Sequence, residues 1–268
     1  MFTLYNGDCL DVMATLPDKS IDFICCDLPY GTTKAEWDIV IPFDKLWAQY
    51  ERLITDTGSL ALFASGKFLP SVLASNPSLY RYMWIWVKNT TMLYVHAHNR
   101  PMTRFEAICM FSKASPIHDN DKNGAIKGIT RMLYNPQGLT TVKSKRIQHK
   151  RTVVKGSFLH TGSHFRNGYC QEFEGYPSDV LFFNNASKEL HPTEKPVDLL
   201  MYLVKTYTNK GMTVLDNCMG SGSCGEACIR TGRNFIGIEK DKGYFDVAEN
   251  RLKNLKWQGG LFDNVDNG

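Results

Sequence analysis

Two short, largely apolar runs, each stopping at an aspartate, constrain this chain more than any other feature. Residues 21–26 read IDFICC and meet Asp27; residues 212–215 read MTVL and meet Asp216. A run with no polar face suits a strand covered on both sides, as in a parallel sheet, and the polar residue that ends it then sits at the strand's carboxyl end. The flanking pattern agrees. Helical alternation spans 42–53, a strand 58–64, a helix 66–74, and strands 81–88 and 105–111. Further on come a strand over 180–183, a helix opened by Pro196 and running to about 206, and the strand 212–215 before a glycine-rich turn and a helix. A strand over 234–238 then ends at Glu239, and Asp241 caps a last helix reaching toward 255. Strands alternating with helices make βαβ units, so the fold class is α/β with a mostly parallel sheet.

With 268 residues, 43% of them hydrophobic, the chain closes one core as a single domain over 1–268. Periodicity fades over about 113–176, where Gly, Ser, Thr, Asn and basic residues dominate, and an inserted module or long loops are expected there. That stretch carries eleven basic residues against four acidic ones, although the whole chain is only +4. Positive charge is therefore concentrated where a polyanion would feel it. Lys143, Lys145, Arg146, Lys150 and Arg151 form its densest cluster and read as a phosphate clamp or, equally, as a solvated charged loop. The glycine-rich, acidic C-terminal residues read as frayed.

Eight cysteines include no C-x-x-C pair, and no basic-then-apolar leader or membrane-length apolar run is present. A reduced, cytoplasmic protein with free thiols is expected, with no metal and no membrane. His96 with His98, and His160 with His164, lack a cysteine or carboxylate to complete a ligand set.

The segment after the second apolar run reads DNCMGSGSCG, and Gly220 to Gly225 satisfies G-x-G-x-x-G between a strand and a helix. Backbone amides there can approach a ligand closely, and Glu239, ending the next strand, can accept hydrogen bonds from ribose hydroxyls. This pattern alone suits a nicotinamide cofactor, S-adenosylmethionine or a merely tight turn. A carboxylate directly before the loop, Asp216, favours a cationic amino acid tail over a pyrophosphate. Thr193 and Lys195, in HPTEKP at 191–196, could hold the carboxylate of such a tail.

Asp27-Leu28-Pro29-Tyr30-Gly31 follows the first apolar run directly. An exocyclic base amine is a poor nucleophile because its lone pair is conjugated with the ring. The Asp27 carboxylate and the Leu28 carbonyl could take both amine hydrogens and leave the lone pair facing a donor. Pro29 would fix the turn, and Tyr30 would offer a face on which an extruded base stacks. Such turns are common in isolation.

Taken together and in this order, DLPYG at 27–31, HPTEKP at 191–196, DNCMGSGSCG at 216–225 and FIGIEKDKGYF at 235–245 resemble the β-class DNA amino-methyltransferases of restriction–modification systems, phages and solitary bacterial methylases. The circularly permuted order, catalytic motif first and cofactor motifs last, is the specific part, and the resemblance covers nearly everything outside the insertion. It implies a Rossmann-like methyltransferase fold with a seven-stranded sheet, helices on both faces and a reversed hairpin at one edge. It also implies S-adenosylmethionine as cofactor and adenine N6 of flipped double-stranded DNA as target.

Carried over residue by residue, the resemblance puts Asp27, Leu28, Pro29 and Tyr30 in the catalytic loop. Asp216, Gly220, Ser221, Gly222 and Ser223 then cradle the cofactor's methionine end. Glu239 meets its ribose with Lys240 nearby, Asp8 and Cys9 lie near its adenine, and Thr193 and Lys195 meet its tail. The motif departs from the family at Leu28, more often proline, and at Ser223-Cys224, more often Thr-Thr. Cytosine-N4 members usually carry Ser where this chain has Asp27. A cytosine-N4 enzyme, a nicotinamide-dependent oxidoreductase and a catalytically silent DNA-binding relative are the competing readings. Family members often form homodimers, but no patch in the sequence marks an interface or a cognate endonuclease.

Overall fold

The computed structural model describes residues 1–33, 38–92, 94–116, 130–148, 169–186 and 194–255. Ten strands and six helices are described, in the order β1 (Phe2–Asn6), α1 (Cys9–Thr15), β2 (Ile21–Cys26), α2 (Phe43–Leu53), β3 (Ile54–Ala64), α3 (Phe68–Ser75), β4 (Tyr80–Met92), β5 (Thr103–Ser112), β6 (Thr140–Gln148), β7 (Tyr169–Glu174), β8 (Val180–Phe182), α4 (Val197–Tyr207), β9 (Thr213–Asp216), α5 (Ser223–Arg230), β10 (Asn234–Glu239) and α6 (Lys242–Asn254).

Eight of the strands form one sheet in the order β1-β10-β9-β2-β3-β5-β4-β8, one more than the seven expected. Every pairing is parallel except those of β5, which runs against both β3 and β4. The reversed hairpin β4–β5 is thus not at the margin. Short β8 adds outside β4, pairing Ile85 with Val180.

The two apolar runs become β2 and β9, and the reason is visible in their burial. Phe23 and Cys25 point into one core cluster with Ala61, Phe63, Leu203 and Val204 of α4, and Ala227 of α5. Ile24 and Cys26 point into the other, with Leu60, Leu62, Met13 of α1 and Leu46 and Tyr50 of α2. Alternate residues face opposite layers, so both must be apolar. In α2, Leu46, Trp47, Tyr50 and Leu53 form the buried stripe, at helical spacing. The Asp8 side chain caps α1 through the Leu10 amide at 3.0 Å, and Asp241 caps α6 through Tyr244 at 2.9 Å. Pro196 stands one place before the first helical residue of α4.

β1, α1, β6 and β7 are additions to the elements read from the sequence, and β3 begins four residues earlier. Within 113–176, Ala114 and Met132 join the main core and the Asn135 side chain bonds Lys205 and Thr208 carbonyls at 3.2 Å each. β6 and β7 pair only with each other. No described helix is long and apolar enough to cross a membrane.

Candidate active site

Because β2 and β9 run parallel side by side, with Phe23 opposite Val214 and Ile24 opposite Leu215, their carboxyl ends deliver Asp27 and Asp216 to the same edge. β10 lies beside β9 and β1 beside β10, so Glu239 and the turn Gly7–Asp8 extend that row. Strand β9 enters the sheet between β10 and β2 only after the chain has passed through β3, β4, β5 and β8. This makes a topological switch point, where open α/β sheets bind ligands.

The glycine loop is held at this edge by named bonds. The Gly220 amide donates to Glu239 Oε2 at 2.9 Å, the Asp241 amide to Glu239 Oε1 at 2.8 Å, and the Cys218 amide to Asp216 Oδ1 at 3.1 Å. Gly222 has φ 79°, and a Cβ there would meet the Ala248 Cβ at 3.0 Å, so conformation and space both require glycine. At Gly225 a Cβ would lie 2.6 Å from Leu252 and 2.7 Å from Phe235; its absence lets α5 pack on the sheet. Lys240 Nζ meets Asp8 Oδ2 at 3.1 Å.

Ser221 and Ser223 are buried under the loop. The Ser223 hydroxyl donates to Glu194 Oε1 at 3.1 Å, and Arg251 bonds Glu194 at 2.7 Å and Glu226 at 2.6 Å. This ion cluster ties the start of α5 to α6 and to the residue before Lys195. Glu194 Oε2 is buried without a partner among the described residues.

Seven described cysteines, at 9, 25, 26, 109, 218, 224 and 228, are free, and six of them are buried. Burial pushes the Cys26 thiol up to about 12, so it packs as a small apolar group rather than a nucleophile. Asp216 is pushed up to about 7, first by burial, with the neighbouring charges of Asp27 and Glu239 adding to it against the Cys218 amide.

Asp27 sits in a buried charge network. Lys195 donates to Asp27 Oδ2 and lies 3.3 Å from Glu106 Oε1, while Lys88 meets Glu106 Oε2 at 2.8 Å. The Tyr30 hydroxyl is 2.9 Å from Asp27 Oδ1 and 2.7 Å from Glu106 Oε1; with one proton to give, it bonds one carboxylate at a time. Its ring stacks on Phe68, centroids 4.6 Å apart. Burial raises the Asp27 pKa despite the opposing Lys195 charge. Burial also works to raise that of Glu106, but Lys195 and Lys88 outweigh it and hold Glu106 down at about 2. Asp38 turns the end of the loop that follows β2 by accepting the Gly31, Thr32 and Thr33 amides at 2.8, 2.8 and 2.6 Å.

The structure thus brings Asp27, Leu28, Tyr30, Lys195, Asp216, Gly220, Gly222, Glu239, Lys240, Asp8 and Cys9 to one edge. Lys195, read from sequence as a contact for the cofactor tail, pairs with Asp27 and Glu106, two residues before α4 and beside the end of β2. Thr193, Lys150 and Arg151 lie outside the described residues. Lys143, Lys145 and Arg146 lie on β6, with only their backbone described. Sequence reading missed Glu106, Lys88, Asp38 and the Glu194–Arg251 pair. A charged residue inside an apolar strand, as Glu106 is in TRFEAICMFS, was the available signal.

The N6/N4 methyltransferase family, described as DNA methylase, matches residues 21–250. The type II methyltransferase M1.MboII of Moraxella bovis is 26% identical over 270 residues, covering 94% of this chain and 97% of that protein. The type II methyltransferase M.HinfI of Haemophilus influenzae is 24% identical over 283 residues, covering 95% and 69%. Among solved structures, the M1.HpyAVI–SAM complex has a TM-score of 0.58 at 23% identity, covering 94% of this chain and 99% of that one. The cytosine-N4-specific PvuII DNA methyltransferase has a TM-score of 0.62 at 14% identity, covering 95% and 88%. Sequence profile and fold agree: this chain belongs to the N6/N4 DNA methylase family, whose methyl donor is S-adenosylmethionine.

Proposed function

We propose that this chain methylates adenine N6 in double-stranded DNA, acting on a base flipped out of the helix. The adjacency of Asp27 and Asp216 carries the reading, since it puts an amine-binding carboxylate beside a cofactor-binding one at neighbouring strand ends. Aspartate at position 27, where cytosine-N4 members usually carry serine, supports adenine.

The donor set fits S-adenosylmethionine. Asp216, Glu239 and Asp8 line one edge with carboxylates, complementing a ligand that bears a sulfonium, an ammonium and ribose hydroxyls. Asp216 with the amides of the 220–223 turn would hold the methionine end, and Glu239 the ribose. When bound, S-adenosylmethionine supplies an electrophilic methyl group. Asp27 and the Leu28 carbonyl accept the two amine hydrogens and turn the nitrogen lone pair away from the ring. The amine displaces the Tyr30 hydroxyl from Asp27 Oδ1, and Glu106 remains as that hydroxyl's acceptor. The Lys195 charge favours the carboxylate form of Asp27 against burial, and Asp27 is placed to take the proton that the methylated nitrogen sheds. The Tyr30 ring stacks on the flipped base.

Modification-sensitive sequencing of DNA from an expressing host tests this. N6-methyladenine at one sequence motif is expected, absent with Asp27→Ala although that variant still binds S-adenosylmethionine. N4-methylcytosine in its place would overturn the adenine assignment, and loss of cofactor binding alone in Asp27→Ala would overturn the role given to Asp27.

A further inference from the structure

The β4–β5 hairpin reaches out from the catalytic edge. β4 runs parallel to the β2 direction, so its carboxyl end lies on the side of Asp27. Lys88 and Glu106, in the hairpin's stem, belong to the charge network on Asp27 and Lys195. Beyond Lys88 the strands continue to the Met92–Thr103 pair and turn at Tyr94–His96. At strand rise, the four residues from Lys88 to Met92 carry β4 about 13 Å past Lys88. The finger is internally braced. Ala97 donates to the Tyr94 carbonyl at 2.9 Å, and Asn99 and Arg100 donate to that of His96 at 2.9 and 3.0 Å. Lower down, Arg104 Nε donates to the Lys88 carbonyl at 3.2 Å, and the Asn185 side chain to Thr90 Oγ1 at 2.7 Å.

The chemistry of the tip is distinctive. Tyr94 is 80% exposed and Val95 78%, and no described ring stacks on Tyr94. From residue 88 to 104 the sequence holds Lys88, Arg100, Arg104, His96 and His98 and no carboxylate. A bare aromatic side chain on a braced, basic finger beside a base-accepting site fits a DNA duplex, with phosphates for the arginines and a base stack for the ring. Flipping leaves a gap in that stack, and a side chain that enters it replaces lost contacts and slows the base's return. We propose that the β4–β5 hairpin is the element that enters the duplex, and that the Tyr94 ring occupies the place vacated by the target base. This inference rests on the DNA-methylation reading above.

The test uses the full-length chain and synthetic duplexes carrying the methylated motif identified by sequencing. One duplex pairs the target base normally; the other sets it opposite an abasic site, where little pairing must be broken. Tyr94→Ala is expected to lower kcat/KM on the paired duplex about tenfold, the size of one base-stacking contribution. Most of that loss should disappear on the abasic duplex, and Tyr94→Phe should behave as the parent does. A 2-aminopurine target should show weaker flipping fluorescence with Tyr94→Ala. Equal losses on both duplexes, an unaffected paired duplex, or a changed oligomeric state as the sole effect would each overturn the proposal. If the parent chain methylates neither duplex, the DNA-methylation reading fails instead.

Discussion

Lys195 and Asp27, 168 residues apart in sequence, are joined by a charged hydrogen bond at the carboxyl end of β2. That pairing makes Lys195 a modulator of the carboxylate proposed to bind the target amine. Lys195→Met removes the cation that opposes burial at Asp27, so the Asp27 pKa rises and the acidic limb of the kcat/KM profile moves to higher pH. Activity at pH 7 should drop about a hundredfold, the scale of a lost acid–base contribution, with S-adenosylmethionine affinity much less changed. An unmoved acidic limb combined with weakened cofactor binding would return Lys195 to the cofactor tail.

Glu106 is 3% exposed and anchors both lysines of the network. Its folded pKa of about 2 lies below the ordinary 4.5, so its stabilising contribution is complete above that value and is lost as pH falls toward 2. Glu106→Gln leaves two buried ammonium groups short of a counter-charge and should cost about 3–5 kcal/mol of stability at pH 7. In urea unfolding from pH 2 to 7, the difference between parent and variant should shrink toward the acid end. A constant difference would show that Glu106 acts by packing alone.

Asp216 offers a pH signature of ligand binding. With its pKa raised to about 7, part of the population is protonated at neutral pH, and a cationic ligand must shed that proton. Affinity for S-adenosylmethionine should therefore rise with pH up to about 7 and level off above, changing by up to about tenfold per unit on the acid side. The unliganded fold gains from the same shift at low pH and loses that contribution between about 4 and 7. Calorimetric titration of Asp216→Asn should give weaker binding with a flatter profile; an unchanged slope would place the titration elsewhere.

The two roles proposed for Tyr30, its hydroxyl bridge and its ring face, are separable. Tyr30→Phe keeps the stack on Phe68 but removes the hydroxyl that bridges Asp27 and Glu106, so about a few-fold change in kcat is expected, with a stability loss of about 1 kcal/mol. Tyr30→Ala also removes the face on which the base would lie, and its activity on duplex DNA should fall at least about tenfold further. Equal damage from both variants would mean that the hydroxyl carries the role.

Much of the scaffold was legible because the signals are local. IDFICC reads as a doubly covered strand from six residues, and the glycine turn reads as a strand-to-helix loop because Gly222 and Gly225 are needed where a Cβ would strike Ala248 or Leu252. β1 and α1 went unread: Phe2–Asn6 is short and half-buried at the sheet's edge, and α1 spans only seven residues. The strand over 180–183 was read, but its place outside β4 was not, since a short run names no neighbour.

The sequence by itself determined the α/β class, the order of the motifs, and the identity of the residues that end β2, β9 and β10, all through patterns a few residues long. Only tertiary structure decided which charges face one another. Glu106 and Lys88 stand on a hairpin, Lys195 before a distant helix, and Tyr30 beside both; no periodicity relates them. Burial in a shared low-dielectric space makes these contacts consequential, and that space exists only once β2, β4, β5 and α4 have packed together.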